Sequence, residues 1–229
     1  TSTGGDRPYS LVLQPDGKII VTGVTGDNRY VVLRYRSDGT LDPSFGSAGV
    51  AYMGTIPNEV ALQSDGKIVI GGSYGTSDIA VTRLNINGSL DTSFGTGGEV
   101  HVNPTGSKRG TASGASVAIQ RVPAVTGEER IVLAGNSALS SPVVWTIMRF
   151  RSNGATDTTF GSNGIVRTSF SGFGDNAHKV RIDSNNKIVV AGNTNSYDSS
   201  CGLYIVDAAV ARYTQDGAVD GSFAGGKQF

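Results

Sequence analysis

At 229 residues the chain has room for one sizeable all-β core, and its 19 basic and 19 acidic residues cancel, which leaves no electrostatic footprint for a nucleic acid or an anionic membrane. No apolar run approaches the roughly 18 residues of a membrane-spanning helix. The single cysteine, Cys201, excludes an intrachain disulfide and a cysteine-built metal site, and only His101 and His178 are available for histidine chemistry.

In chain order, the first patterned segment is Val12-Leu13-Gln14-Pro15-Asp16-Gly17-Lys18-Ile19, and it returns as Ala61-Leu62-Gln63-Ser64-Asp65-Gly66-Lys67-Ile68. It comes back altered at Ala118-Ile119-Gln120 followed by Arg130-Ile131, and again at Arg181-Ile182-Asp183-Ser184-Asn185-Asn186-Lys187-Ile188. Downstream of each stands an arginine phrase, Arg34-Tyr35-Arg36-Ser37-Asp38-Gly39 and its relatives from Arg83, Arg149 and Arg212. Each unit closes on Leu41-Asp42-Pro43-Ser44-Phe45-Gly46 or its counterparts ending at Gly95, Gly161 and Ala224. The copies span approximately 10–58, 59–115, 116–178 and 179–229 of one repeat domain.

The second copy gives the clearest strands. Residues 60–63, 67–72, 79–84 and 99–102 are short runs rich in Val, Ile and Leu, parted by Asp-Gly or Asn-Gly turns, with no helical period between them. Asp65-Gly66 predicts a two-residue hairpin with positive φ at both positions, and copy four places Asn185-Asn186 there. Four strands, here called A to D, in about 50 residues are the content of a propeller blade. A single blade cannot bury both of its faces, so neighbours must stack. The expected fold is all-β and β-propeller-like, with four antiparallel four-stranded blades. Whether they close alone, with an N-terminal segment completing the last sheet, with further blades, or through oligomers stays open.

These phrases resemble the delta-60 repeat family, a bacterial tandem repeat of β-propeller-like structure. The resemblance rests on the Gln-x-Asp-Gly-Lys-Ile segment, the Ala-Gly or Gly-Gly pair, and the run from the arginine phrase through Ser-Phe-Gly. It covers roughly residues 10 to 226. It departs where residues 121–129 replace the turn of copy three, and where Ala224 replaces the closing glycine of copy four. The resemblance implies a large bacterial protein, secreted or on the cell surface, and no shared catalytic activity.

A residue present in every copy answers a need that every blade has. Arg34, Arg83, Arg149 and Arg212 each precede an aspartate by eight positions, Asp42, Asp91, Asp157 and Asp220, and are expected to bridge blades, since a buried guanidinium must have its donors met. Phe45, Phe94, Phe160 and Phe223 are expected core plugs. The Asp-Gly segments lack the alternating acids of a calcium loop. The Gly-x-Gly stretches precede no helix that would hold a phosphate. With no Gly-x-Ser-x-Gly elbow and no metal-type histidine spacing, neither an enzyme nor a cofactor or metal site is expected.

Residues that break the repeat are the candidates for binding. In an up-and-down blade the B–C and D–A loops emerge at one end and the A–B and C–D turns at the other. The D–A segment 103–116 carries Lys108 and Arg109; the D–A segment 169–179 carries Phe170, Phe173, Asp175 and His178; the B–C segment 193–202 carries Tyr197, Asp198 and Cys201. Variable loops on a rigid frame are where binding resides. The site expected from the sequence is therefore Lys108, Arg109, Phe173, Asp175, His178, Tyr197 and Asp198, facing a glycan or protein. The alternatives are a structural or self-associating module of a larger array and, third, an enzyme built on a propeller frame.

Overall fold

A computed structural model describes residues 5–107, 110–121, 128–138, 141–170, 173–200, 202–225 and 227–228. The first sheet comprises β1 (Arg7–Leu13), β2 (Ile19–Val24), β3 (Tyr30–Tyr35) and β4 (Val50–Met53). The second holds β5 (Ile56–Leu62), β6 (Ile68–Tyr74), β7 (Asp78–Leu84) and β8 (Glu99–Val102). The third holds β9 (Thr111–Arg121), β10 (Glu129–Ala138), β11 (Val144–Phe150) and β12 (Ile165–Thr168). The fourth holds β13 (Asp175–Ile182), β14 (Ile188–Asp198), β15 (Leu203–Tyr213) and β16 (Lys227–Gln228). Each sheet is antiparallel with its strands in chain order, so B–C and D–A connections share one end of every sheet. The last sheet is completed by β16, and the N-terminal strand β1 belongs to the first sheet.

The first strands of the sheets lie side by side: β5 packs on β1 and β9, and β9 packs on β13. Successive sheets stack face to face over three cores. Val32 and Phe45 meet Ile68 and Ile70 between the first two sheets. Val81 and Phe94 meet Leu133 and Phe150 in the next core, and Ile147 and Phe160 meet Val190 and Tyr213 in the last. Among the described residues no core joins the fourth sheet to the first. Covering on both sides explains why Ile68-Val69-Ile70 is an unbroken apolar run with every residue buried. By contrast, the inner half of β15 alternates buried and half-buried positions.

The repeated arginine fastens each junction at the turn end. Arg34 Nε donates to Asp42 Oδ2 (2.9 Å) and its Nη1 crosses to Ile86 O of the second sheet (2.6 Å). Arg83 repeats this with Asp91 (2.7 Å) and Ser152 O (2.5 Å), and Arg149 with Asp157 (2.9 Å) and Gln215 O. Each guanidinium also covers the phenylalanine of its own unit, as Arg83 does Phe94 at 4.6 Å. A backbone bond runs alongside: Gly46 N to Asn87 O (2.7 Å), Gly95 N to Asn153 O (2.9 Å) and Gly161 N to Asp216 O (2.8 Å).

The A–B turns differ from the two-residue expectation. Gly66 N donates to Gln63 O and Gln63 N to Lys67 O, both at 3.0 Å. Only Gly66 has positive φ, at 82°, and Asn186 alone does so in copy four. This is a three-residue loop in which a turn is followed by one left-handed residue. Asp65 keeps negative φ because its carboxylate accepts the Lys67 amide, at 3.1 Å.

Candidate functional site

Two kinds of cleft open between the sheets. At the turn end, one of about 670 Å³ lies between the second and third sheets, lined by Gln63, Lys67, Arg83, Glu129 and Asn153 among others. A smaller one of about 280 Å³ lies between the third and fourth, lined by Gln120, Arg149, Asp157, Asn186 and Asp216 among others. These are two copies of one feature, built from the repeated arginine units. Their charges are mutually engaged: Lys67 Nζ lies 2.9 Å from Asp91, and Arg130 Nε 3.0 Å from Asp157. Burial raises the Asp157 pKa, but the Thr159 hydroxyl and the two guanidiniums outweigh it and hold the carboxyl at about 2.

At the loop end a cleft of about 470 Å³ opens between the second, third and fourth sheets. Its polar lining is uncharged, with Asn58 and Ser73 from the second sheet, Ser113 and Asn136 from the third, and Asn176 from the fourth. Part of that polarity holds the frame. Asn58 donates to Gly114 O, Gly114 N donates to Ser73 Oγ (3.1 Å), and Ala177 N donates to Asn136 Oδ1 (2.6 Å). The Asn136 side-chain nitrogen and the Asn176 side-chain amide have no hydrogen bond among the described residues.

Further along the inner strands, Glu59 ties three sheets together. It accepts from Ser116 Oγ and Val117 N (3.2 Å) of β9, while Lys179 Nζ (2.7 Å) and Arg181 Nη1 (3.0 Å) of β13 pair with it. Burial would raise its pKa, but the bonds from Lys179 and Ser116 and the Arg181 charge hold it below the usual carboxylate value.

The loop end also carries an exposed aromatic group on the fourth sheet. Tyr197 and Tyr204 face each other across the β14–β15 ladder, with ring centroids 5.1 Å apart. Phe173, from the D–A connection, sits 6.4 Å from Tyr197 and 6.2 Å from Tyr204. All three rings are exposed.

The expected site residues divide accordingly. Phe173 and Tyr197 come together. Asp175 is corrected: it is fully buried, accepts from Phe170 N (2.8 Å) and Thr194 Oγ1, and fastens the D–A connection to β14, so no ligand reaches it. His178 is a strand residue of β13, exposed and 2.7 Å from Asn193 Oδ1, and it does not line the cleft. Asp198 ends β14, paired with Leu203, and only its backbone is described. Lys108, Arg109 and Cys201 lie outside the described residues.

The segment 193–202 is not mainly loop. It extends the β14–β15 hairpin, pairing from Asn193↔Ala208 out to Asp198↔Leu203. Sequence reasoning missed Tyr204 and the cleft residues Asn58, Ser73, Ser113, Asn136 and Asn176. The run of β-favouring residues Leu203-Tyr204-Ile205-Val206 was the one signal for the longer hairpin. Trp145 is fully buried, packed edge-on to Phe170 with centroids 4.6 Å apart.

Comparison with known proteins adds the following. A family model described as "Domain of unknown function (DUF5122) beta-propeller" matches residues 14–45, 63–94, 130–160 and 184–223, more than half of the chain. All four matched segments close on the repeated phenylalanines Phe45, Phe94, Phe160 and Phe223, and every one leaves out the D–A connection. Among solved structures, the chain is similar to a protein of unknown function from Bacteroides caccae, with a TM-score of 0.51 and 12% identity. That match covers 95% of this chain and 67% of the other, and it bears on the fold alone. Among curated proteins, none matches the chain.

Proposed function

Because the chain belongs to the DUF5122 β-propeller family, we propose that it is a binding module that holds a neutral glycan at the loop end of its stacked sheets. The observation that carries this is the loop-end cleft of carboxamides and hydroxyls, Asn58, Ser113, Asn136 and Asn176 among them. Such groups exchange hydrogen bonds with sugar hydroxyls without the desolvation cost of a charge. The exposed rings of Phe173, Tyr197 and Tyr204 on the same end supply flat apolar faces for the C–H face of a sugar ring. We read the module as non-catalytic, and its units, on the phrases they share, as delta-60 repeats of an exported or surface bacterial protein.

The test is a printed array of neutral oligosaccharides, followed by calorimetry on any that bind. Asn176→Ala and Tyr204→Ala should each weaken a bound glycan at least tenfold without moving the melting temperature. Full affinity in both variants would overturn this reading. So would an array without a single neutral glycan bound while a protein ligand is captured at the same loops.

A further inference from the structure

Both ends of the stack present half of a junction already made three times inside the chain. On the first sheet, Leu11 and Leu13 are 62% and 64% exposed. Leu11 occupies the repeat position of Val60, Val117 and Val180, which are all buried in junctions. Tyr35 is half-buried where Leu84, Phe150 and Tyr213 are fully buried. Gly39 has nothing within 4 Å of its would-be Cβ, whereas its counterpart Gly88 lies against Phe45. The carbonyls of Ser37 and Asp38, in the positions of Ile86 and Asn87, receive no donor among the described residues.

The fourth sheet carries the complementary half. Val189, Val210 and Phe223 are only partly covered, where Val69, Val81 and Phe94 are fully buried. The Arg212 side chain is 21% exposed, against 5% for Arg83. It keeps its aspartate, Asp220 at 2.7 Å, but meets no turn carbonyl of a further sheet among the described residues. The Ala224 amide, in the position of Gly46, Gly95 and Gly161, likewise has no acceptor among the described residues.

We propose that these two faces join between copies of this chain, head to tail, with the fourth sheet of one copy stacking on the first sheet of another as successive sheets do within it. Arg212 then donates to Ser37 O, the Ala224 amide to Asp38 O, and Val189, Val210 and Phe223 cover Leu11, Leu13 and Tyr35. The choice of partner follows from continuity with three existing junctions and from the match of spare donors to spare acceptors. One rung does not transfer: Lys179, a donor, stands where Ser10, Glu59 and Ser116 accept the amide of the next inner strand. The inner edge of the new junction is therefore weaker than its turn end. Such an interface is heterologous and closes on itself when the rotation permits. Two copies make eight sheets, within the range of about 4 to 8 blades that propellers reach.

Sedimentation velocity over a dilution series tests this with two substitutions at exposed sites. Leu13→Lys blocks the first face and Ala208→Lys the fourth; Ala208 is exposed in the position where Ile79 and Trp145 are buried. The native chain is expected to form a dimer or longer species as concentration rises. Each variant alone should stay monomeric with an unchanged melting temperature, and an equimolar mixture should recover a dimer through the one intact junction. A native chain that is monomeric at every concentration would overturn the proposal. So would association that survives in either single variant, or a mixture that fails to pair. None of these outcomes touches glycan binding at the loop end.

Discussion

At the scale of single residues, the arginines separate what a junction adds from what a turn needs alone. Arg83 serves its own aspartate and the Ser152 carbonyl of the next sheet, whereas among the described residues Arg212 serves only its own sheet. Arg83→Ala leaves Asp91 buried with Lys67 as its remaining cation, and is expected to cost about 3 kcal/mol. Arg212→Ala, at a part-exposed pair, should cost about 1 kcal/mol or less. Urea unfolding of both variants checks the difference. Asp157 gives a second expectation. Its folded pKa of about 2 lies below the ordinary 3.8, so its stabilising contribution is complete above the ordinary value and disappears as pH falls through the folded one. The urea midpoint should drop between pH 3.8 and about 2, and Asp157→Asn should flatten that drop while lowering stability at neutral pH. Asp175 shows where residue-level reading stops. An acid in an unrepeated segment reads as accessible, and only the positions of Phe170 N and Thr194 reveal that it is a buried fastener.

At the scale of elements, the strands were legible because each copy spells them again, and the copies correct one another. Strand β8 falls on the expected 99–102, and β7 begins one residue before its expected start. The lengths of β14 and β15 were harder to read, since hairpin extension is decided by cross-strand partners such as Tyr197 and Tyr204. Least legible was the loop-end cleft. Its residues come from the second, third and fourth sheets, and no linear spacing announces a surface that only stacking assembles. The turn glycines give this scale its prediction. Gly39 and Gly154 occupy the same repeat position with φ of 84° and 87°, but a Cβ on Gly154 would come within 2.8 Å of Gly95 N. Gly39→Ala should cost about 1–2 kcal/mol for backbone strain alone. Gly154→Ala carries the same strain, adds that clash, and should lower the melting temperature at least twice as far.

At the scale of the whole molecule, stability should grade from the middle outward, because inner sheets are covered on both faces and end sheets on one. Amide exchange followed by mass spectrometry should find β6, β7, β10 and β11 slowest, with β1 and the outer half of β15 opening first. Equal protection in all four sheets of the monomer would show unfolding as one unit instead. The open ends were not readable from sequence, since copy one carries leucines at 11 and 13 just as a covered sheet would. The arginine-to-carbonyl contact has one last consequence, for how such chains lengthen. Donor and acceptor both belong to the repeated phrase, so a duplicated unit arrives already fitted to the unit before it and the unit after it. Recombination within the gene can then insert or delete a whole sheet without any compensating mutation, and the loop end of the newcomer is free to diverge from its parent.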